Sequence, residues 1–170
     1  MSAPQHRIVA EQRQAVPVRR STIALILCAA LAVLAVRIWL VEPLTVASDS
    51  MEPTIAEGST VVLLKHSSAE PGALVSFRNP VDGAATLKRI VAGGGQTVAF
   101  KDALLYVDGR EIPEPFVDHS RIDGTYFGPV TVPEGHVFVL GDNRGRSIDS
   151  RDFGAIPIDS IEATVIWPSN

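Results

Sequence analysis

The sequence contains one cysteine, three lysines and only one long hydrophobic run. The single cysteine, Cys28, cannot form a disulfide within the chain, so cysteine usage neither indicates nor excludes an exported protein. No internal repeat or long low-complexity tract is present. A chain of 170 residues is long enough for one domain and one additional segment.

The larger part of the chain lacks an excess of basic residues. Residues 42–170 contain ten lysines and arginines against eighteen acidic residues, whereas residues 1–41 contain five arginines and one glutamate. Acidic surfaces repel the phosphate backbone of nucleic acids. We therefore predict that the chain does not bind nucleic acid.

The sequence offers little support for histidine or metal chemistry. The four histidines are His6, His66, His119 and His136, and they are widely separated in the sequence. No candidate ligands cluster at the spacing that is typical of a metal site. We predict neither a histidine-dependent catalytic triad nor a metal or other cofactor.

The hydrophobic run begins at residue 22 and is uncharged up to residue 36. After Arg37 it continues with Ile38-Trp39-Leu40-Val41, which brings it to 20 residues. This is about the length that crosses a bilayer, with Arg37 near enough to one end to reach the polar boundary and Trp39 suited to the interface. The run is therefore a candidate transmembrane helix.

Four arginines precede the run, at positions 7, 13, 19 and 20. By the positive-inside rule, this asymmetry places the N-terminus in the cytoplasm. The sequence thus predicts a single-pass protein of the cell membrane with the lipid bilayer as a partner. Its three predicted parts are a basic cytoplasmic tail (1–21), a transmembrane helix (22–41) and an extracytoplasmic β-rich domain (42–170).

Two other interpretations of the run stay open at this point. A cleavable signal peptide would have Arg19 and Arg20 as its basic region and the small residues at 45–47 as a place to cut. Against it, the charged Arg37 and the bulky Trp39 would crowd the region before the cut. A buried core helix fits poorly with the preceding arginines and with so small a remaining domain.

Beyond Pro43 the hydrophobic pattern becomes short and strand-like, and glycine, proline and aspartate separate the apolar runs. No long amphipathic helix is indicated after residue 42. We predict a mainly β fold, in which one N-terminal transmembrane helix precedes an antiparallel β-sheet domain of about 125 residues. Residues 104–112, with Asp108-Gly109 inside them, are predicted to form a hairpin. The predicted strands are 60–64, 74–77, 87–91, 97–100, 104–107, 137–140 and 163–167.

The motif SDSMEPT occupies residues 48–54, just beyond the hydrophobic run. A serine hydroxyl is a poor nucleophile until a neighbouring base removes its proton as it attacks. Ser48 and Ser50 are also what a turn beside a proline would contain. The motif by itself does not decide between a nucleophile and a turn.

Lysine can act as the base only if its ammonium form is disfavoured. An unperturbed pKa of about 10.4 leaves fewer than about one lysine in a thousand neutral at pH 7, and burial lowers that pKa. Lys65 precedes a polar run and Lys101 precedes a predicted turn, whereas Lys88 lies in the apolar strand TLKRIV. Its neighbour Arg89 would point to the opposite face of the strand. Lys88 is thus the candidate base, and an ordinary edge-strand lysine is the alternative.

A third motif, GDNRGRSIDSR, occupies residues 141–151 and is by itself typical of a polar turn. The three motifs together, in this order, resemble those of the bacterial type I signal peptidase (leader peptidase) family. These are membrane-bound Ser-Lys proteases that remove signal peptides from exported proteins. The resemblance extends from about residue 37 to residue 168.

The resemblance implies roles for individual residues. Ser50 would be the nucleophile and Lys88 its base, while the backbone N–H of Ser50 and the hydroxyl of Ser48 would stabilise the oxyanion. Ser147 would hold the lysine amine toward the nucleophile. Met51 would pack beside the substrate.

The remaining matched residues are charged or polar groups that would brace the site. Asp149 and Arg151 match a charged pair of the family, and Arg89 is a further candidate for that network. The loop itself would be shaped by Asp142, Asn143 and Arg144.

As a whole, the resemblance implies a serine endopeptidase that cuts after small residues through an acyl-enzyme. Its partners would be precursor proteins bearing signal peptides, and it would be functionally linked to the protein export machinery. The related endoplasmic-reticulum enzymes have histidine where this chain has Lys88, which favours the bacterial type. The sequence departs from the family pattern in two places. Residues 90–96 replace a turn that often carries a carboxylate, and Ala47 stands where proline is frequent.

Three other functions are compatible with parts of this pattern. A maturation protease with one dedicated precursor would share every motif. A self-cleaving repressor-type Ser-Lys protease is disfavoured because a hydrophobic run, and no DNA-binding segment, precedes Ser50. A non-enzymatic anchored β module that binds exported chains would lose nothing on substitution of Ser50 by alanine.

Overall fold

A computed structural model of the protein describes residues 20–119 and 126–167. The chain divides into two compact units between residues 36 and 37. The described residues contain two α-helices and eleven β-strands. In chain order these are α1 (Arg20–Leu40), β1 (Val41–Thr45), β2 (Thr60–Lys65), β3 (Leu74–Arg78), β4 (Ala85–Gly93), β5 (Thr97–Lys101), β6 (Leu104–Val107), β7 (Arg110–Glu111), β8 (Phe127–Thr131), β9 (His136–Leu140), α2 (Ser150–Phe153), β10 (Ile156–Pro157) and β11 (Ile161–Trp167).

Helix α1 is apolar on all sides, and its side chains from Ser21 to Trp39 are exposed. A helix of this kind is stable where its surroundings are also apolar. Its 20 residues from Ser21 to Leu40 have a mean hydropathy of 2.6, and none of its most apolar stretch is buried by protein. This length and composition suffice to cross a bilayer, and they also suit an N-terminal signal sequence. The structure confirms that the hydrophobic run is helical.

The helix ends at Leu40, so Val41, which the sequence analysis assigned to the span, is the first residue of β1. Strand β1 pairs antiparallel with β2, from Val41 opposite Leu64 to Thr45 opposite Thr60. No strand was predicted here from the sequence. Proline is rare in central strands, but Pro43 is tolerated because β1 lies at the edge of its sheet.

All strand pairs belong to one of two antiparallel sheets, which confirms the predicted fold class. The first has seven strands in the order β1-β2-β11-β3-β4-β9-β10, and the second has four in the order β7-β6-β5-β8. Each of the seven predicted strands is present. Strand β8 was not predicted, and it too contains a proline, Pro129, and lies at a sheet edge. The short strands β7 and β10 have only two residues each.

The predicted hairpin is formed by β6 and β7, with Tyr106 opposite Glu111 and Val107 opposite Arg110. Asp108 and Gly109 have φ angles of 51° and 74°. Two successive positive φ angles match the twist of a two-residue hairpin turn, and aspartate followed by glycine is favoured there. The local sequence therefore accounts for this turn.

Strand β4 is covered on both faces, which decides where the site forms. Four successive residues, Leu87 to Ile90, are buried. Leu87 belongs to a core cluster with Val61 and the fully buried Met51. Ile90 belongs to a second cluster on the opposite face. Lys88 and Arg89 are thus both buried, on opposite faces of the same strand.

The glycine turn after β4, where the sequence departs from the family pattern, is held by Gln96. The Gln96 side chain accepts a hydrogen bond from the Gly93 N–H (2.9 Å) and donates one to Asp108 (3.1 Å). Gly95 has a φ angle of 81°, and a Cβ on Gly94 would lie 3.0 Å from the Cα of Glu134. The turn therefore needs glycine at both positions.

Candidate active site

Ser50 lies in a single 3-10 turn, Asp49–Met51, which residues 46–48 separate from the end of β1. Ser48 caps this turn: its hydroxyl oxygen accepts a hydrogen bond from the Ser50 N–H at 3.1 Å. Serine is a favoured residue at such a position because its short side chain reaches a free backbone N–H. The two groups that the sequence analysis assigned to the oxyanion, the Ser50 N–H and the Ser48 hydroxyl, therefore lie side by side.

The Nζ atom of Lys88 lies 2.8 Å from the Oγ atom of Ser50. Lys88 is in the middle of β4, and only 3% of its surface is exposed. At this distance one hydrogen bond joins the amine and the hydroxyl. The structure thus brings together Ser50 and Lys88, the two side chains that the sequence analysis selected as candidate nucleophile and candidate base.

Burial lowers the pKa of Lys88 below that of a free lysine, because the ammonium form loses hydration. The carboxylates of Asp149 and Asp142 act in the opposite direction, but their effect on the pKa is smaller than that of burial. The other two lysines differ: the Lys65 side chain is 35% exposed and pairs with Glu42, and Lys101 is exposed. Lys88 is therefore the lysine best placed to be neutral near pH 7.

The loop of residues 141–147 is attached directly to the Ser50 segment. Asn143 donates from its backbone N–H to the Ser50 carbonyl and from its side chain to the Asp49 carbonyl, both at 3.0 Å. Gly141 allows this close approach, since a Cβ there would lie 2.2 Å from the Ser147 Oγ and 2.6 Å from the Ser50 carbonyl oxygen. Gly141 begins the third motif, but it was not among the site residues predicted from the sequence.

The Ser147 hydroxyl is buried and has no hydrogen-bond partner within the described residues. The expected hydrogen bond from Ser147 to Lys88 is not formed in this structure. An unpartnered buried hydroxyl costs about 1–3 kcal/mol of stability, so it needs an explanation beyond packing. Its part in orienting the amine stays a prediction.

Asp149 and Arg151 form the charged pair that the sequence analysis expected. Arg151 donates to both carboxylate oxygens of Asp149, at 2.8 and 2.9 Å. Asp149 is fully buried, and it also accepts from the Gly141 N–H at 3.1 Å and caps helix α2. The pair therefore connects α2 to the start of the 141–147 loop.

Arg89 does not join that pair; it binds Asp142 instead. Its guanidinium donates to both oxygens of the Asp142 carboxylate, at 2.9 and 2.7 Å, and to the Gly72 carbonyl at 2.8 Å. The reason is the alternation of side chains along β4, which directs Arg89 away from the face that carries Lys88. Two arginine–aspartate pairs thus brace the site separately.

Arg144 forms a third ion pair, with Glu114. Its two terminal nitrogens lie 2.8 and 2.5 Å from the two Glu114 oxygens, and its Nε donates to the Gly141 carbonyl at 3.0 Å. Glu114 is not predicted from the sequence, because it lies 30 residues from Arg144 in a proline-rich connection without periodicity. The only local feature of the sequence that could have drawn attention to Glu114 is its position between two prolines.

A groove of about 410 Å³ opens beside Ser50 and Lys88. Residues 44–48 line one part of it and residues 85–88 another, with Asn79, Arg146 and Ile148 completing the lining. Ala47, the second departure from the family pattern, is among the lining residues. Met51 is not, because its side chain is wholly buried in the core cluster; a contact with substrate stays a prediction for this residue.

Along this groove, one edge of β4 is not paired with another described strand. Strand β4 pairs with β3 along residues 85–89, but with β9 only from Arg89 onward. Among the described strands, residues 85–88 therefore have a neighbour on one side only. Unpaired backbone groups on a strand edge can pair with an added extended peptide.

None of the three histidines in residues 20–119 and 126–167 lines the groove. Of the three that lie in the described residues, His66 stacks against Trp39 and His136 contacts its own loop through the Glu134 carbonyl. His6 lies outside the described residues. Within residues 20–119 and 126–167, no group of three histidine, cysteine, aspartate or glutamate side chains is placed to hold a metal ion.

The sequence is similar to proteins of known identity along most of its length. Residues 19–169 match the family described as signal peptidase, peptidase S26. Signal peptidase I of Bacillus licheniformis is 36% identical over 163 residues, covering 86% of this chain and 87% of the relative. Signal peptidase I T of Bacillus subtilis is 34% identical over 161 residues, covering 85% and 83%.

A solved structure shares both fold and sequence. The crystal structure of a signal peptidase I from Enterococcus faecalis is 30% identical and superposes with a TM-score of 0.52, covering 58% of this chain and 97% of that one. Together, the match along residues 19–169 and the identity to curated relatives show that the chain belongs to the signal peptidase family, peptidase S26.

Proposed function

We propose that this chain removes signal peptides from exported precursor proteins, with Ser50 as the nucleophile and Lys88 as the general base. The observation that carries the proposal is the 2.8 Å contact between the Lys88 amine and the Ser50 hydroxyl, made by a lysine that is almost fully buried. Membership of the signal peptidase family supports the substrate class.

In the proposed reaction, the neutral Lys88 amine takes the Ser50 proton as the serine oxygen attacks the scissile carbonyl. The ammonium formed in this step then protonates the leaving amine, and the serine keeps the acyl group. A water molecule, deprotonated by the same amine, then hydrolyses the acyl-enzyme, and the ammonium formed in this step returns the proton to the departing Ser50 oxygen. Asp149 and Asp142 stabilise the transient ammonium, because each favours the charged form of Lys88.

The oxyanion would be held by the Ser50 N–H and the Ser48 hydroxyl. Without substrate, the Ser50 N–H donates to the Ser48 oxygen at 3.1 Å. A substrate oxygen would replace the Ser48 oxygen as the acceptor of that N–H, and the Ser48 hydroxyl proton would then be free to donate to the same oxygen. Donors that are already in place require little reorganisation when charge develops.

Ser147 would orient the base during this cycle. Its buried hydroxyl has no partner among the described residues, so a hydrogen bond to the Lys88 amine would satisfy it. The pairs Asp149–Arg151 and Asp142–Arg89 would hold the surrounding backbone while the proton moves.

The substrate would bind as an extended strand along the free edge of residues 85–88. In an extended chain every second side chain enters the groove, so the first and third residues before the cut would face it. Leu44, Val46 and Leu87 are among the residues that line the groove. The resemblance to the signal peptidase family implies small residues such as alanine at these two positions, so a precursor with a bulky aromatic residue directly before the cut should be cleaved poorly.

The proposed location is the cell membrane. Residues 1–21 would lie in the cytoplasm, residues 22–41 would cross the bilayer, and residues 42–170 would form the extracytoplasmic peptidase domain. The arginine asymmetry and the all-apolar helix α1 support this arrangement. An enzyme in this position would act on precursors as the export machinery delivers them.

The test is cleavage of one signal-peptide-bearing precursor by detergent-extracted wild type and by the Ser50→Ala variant. Ser68→Ala, which changes an exposed serine, is the matched control. We expect the wild type and Ser68→Ala to release the mature protein and Ser50→Ala to release none. Equal cleavage by Ser50→Ala would contradict the proposal.

A further inference from the structure

The connection between β7 and β8 contacts two arginines that flank the Ser50–Lys88 pair. Its residues 113–117, the connecting segment, carry Glu114 and Phe116. Glu114 binds Arg144 of the 141–147 loop, and the Phe116 ring lies 4.0 Å from the guanidinium carbon of Arg89. Both β7 and β8 belong to the four-stranded sheet, whereas Lys88 lies in the seven-stranded one.

The ion pair between Glu114 and Arg144 is shut off from solvent. Their side chains are 2% and 1% exposed, and both terminal nitrogens of Arg144 bind the carboxylate. A buried guanidinium is strongly disfavoured without a counter-ion, so Glu114 determines where Arg144 can lie. A bidentate pair also fixes the plane of the guanidinium.

Arg144 in turn contacts the loop next to the nucleophile, so the position of Arg144 affects the position of that loop. Its Nε atom donates to the Gly141 carbonyl at 3.0 Å. Gly141 is the residue whose backbone approaches both Ser147 and the Ser50 carbonyl too closely for a Cβ. A displacement of Arg144 would therefore move the backbone against which Ser50 and Ser147 are packed.

Phe116 acts on the other side of the site. Its ring covers the Arg89 guanidinium, which is held in plane by Asp142 and the Gly72 carbonyl. Arg89 is adjacent to Lys88 in β4, so a fixed Arg89 restrains the strand that carries the base. A cation held against an aromatic face in a desolvated setting is a favourable contact.

We propose that the connecting segment positions the catalytic pair, with Glu114 acting through Arg144 on Ser50 and Ser147, and Phe116 acting through Arg89 on Lys88. Neither residue touches the reacting atoms; both are positioning residues. The inference rests on the proposed function. Failure of that function would appear separately, as cleavage by Ser50→Ala equal to that of the wild type.

The first test measures kcat and KM for Glu114→Gln in the full-length, detergent-extracted chain, with a signal-peptide-bearing precursor. The control is Glu111→Gln, an exposed glutamate three positions earlier. We expect kcat to fall on the order of 100-fold, with KM changed less than about threefold, because small displacements of reacting groups reduce the chemical step. The control should match the wild type. A wild-type kcat for Glu114→Gln would overturn the proposal.

A double variant separates positioning from simple destabilisation. Glu114→Leu combined with Arg144→Met removes both buried charges and replaces them with apolar side chains, which is often neutral for stability. It also removes the donor to the Gly141 carbonyl. We expect a thermal transition near that of the wild type together with a kcat as low as that of Glu114→Gln. Recovery of kcat along with stability would show a merely structural role.

Phe116 is tested with a conservative pair of variants. Phe116→Tyr keeps the ring over Arg89, whereas Phe116→Leu keeps an apolar side chain without it. We expect Phe116→Tyr to retain the wild-type kcat and Phe116→Leu to lose about three- to tenfold, because without the ring Arg89 holds the strand that carries Lys88 less precisely. Equal kcat in the two variants would remove Phe116 from the proposal.

Discussion

The Nζ atom of Lys88 lies 2.8 Å from the Oγ atom of Ser50, although 38 positions separate the two residues in the sequence. The contact forms because the turn after β1 and the middle of β4 meet at the groove. Lys88 loses most of its hydration there. The side chain of its neighbour Arg89 lies on the opposite face of β4 and forms an ion pair with Asp142. A lysine amine beside a serine hydroxyl, with its ammonium form disfavoured, is the arrangement that acyl transfer without histidine requires.

We predict that Lys88→Arg will be as inactive as Lys88→Ala. A guanidinium keeps its proton at any working pH, so conserving the charge cannot supply a base. Both variants should lose more than about 1,000-fold in kcat, as expected when an activating base is removed. The control is Lys101→Arg, at an exposed lysine on β5. The measurement is turnover of one precursor, with folding checked by circular dichroism; a folded Lys88→Arg with near-normal turnover would rule out the Ser-Lys mechanism.

Activity should rise with pH as the Lys88 ammonium loses its proton. Because burial lowers the pKa of Lys88, the midpoint of this rise should lie below the pKa of free lysine, about 10.4. Asp149 raises the pKa of Lys88, so Asp149→Asn should move the midpoint to lower pH. The exposed Asp159→Asn is the control and should leave the midpoint in place.

The Asp149→Asn variant also loses the partner of Arg151, which should cost about 3 kcal/mol of stability. The pH profile of kcat/KM is therefore measured well below its thermal transition. A midpoint that stays unchanged or moves to higher pH would contradict the role given to the Asp149 charge.

Replacing Lys88 by methionine should stabilise the protein at pH 7. The pKa of Lys88 is lower in the folded chain than in the unfolded chain, so at pH 7 folding carries the cost either of burying the ammonium or of removing its proton. Thermal unfolding at pH 7 should therefore show a higher transition temperature for Lys88→Met than for the wild type. The difference should shrink as the pH approaches about 10.4, where the lysine of the unfolded chain also becomes neutral.

Lys65→Met is the control for this effect. The Lys65 side chain is partly exposed and paired with Glu42, so its ammonium is hydrated in the folded state. We expect no stabilisation from its removal. A loss of stability in Lys88→Met at pH 7 would show that the contacts of the ammonium outweigh its burial.

Gly141→Ala should abolish most of the activity while leaving the β-sheets intact. The added Cβ would lie 2.2 Å from the Ser147 Oγ and 2.6 Å from the Ser50 carbonyl oxygen, so the loop must shift. We expect a loss in kcat on the order of 100-fold, because the reacting groups are displaced. Gly93→Ala is the matched control, since a Cβ there finds its nearest atom at 4.0 Å. Normal turnover of Gly141→Ala would mean that the site tolerates this displacement.

The proposed topology predicts a protease-protection pattern. Protease added to intact cells or spheroplasts should reach residues after 42 and spare residues 1–20, because the preceding arginines keep the N-terminus inside. Detergent-lysed cells provide the control in which both parts are cleaved. Protection of the C-terminal part from outside would overturn the topology, and a mature N-terminus at Ser48 would show that the hydrophobic run is a removed signal.

The local pattern of the sequence accounts for much of the fold. Hydrophobic runs between turn residues predicted seven strands and the hairpin at Asp108-Gly109, and the long apolar run predicted α1. The strands β1 and β8 were not predicted from the sequence, because each contains a proline. Local preference excludes proline from a central strand, but whether a strand lies at an edge depends on the other strands of the sheet.

The sequence by itself also determined which lysine to consider, because the apolar strand around Lys88 is a local feature. Ser50 was selected over Ser48 only through the resemblance of the three motifs to a known family. Only the tertiary structure decided that these two side chains meet, that Arg89 binds Asp142 and not Asp149, and that Glu114 and Gly141 belong to the site. Each of these contacts joins residues from different strands or loops, and the pairing of strands and the packing of side chains fix such contacts. Composition and periodicity describe only neighbours along the chain. They do not specify the strand-pairing register, which brings distant groups within hydrogen-bond distance.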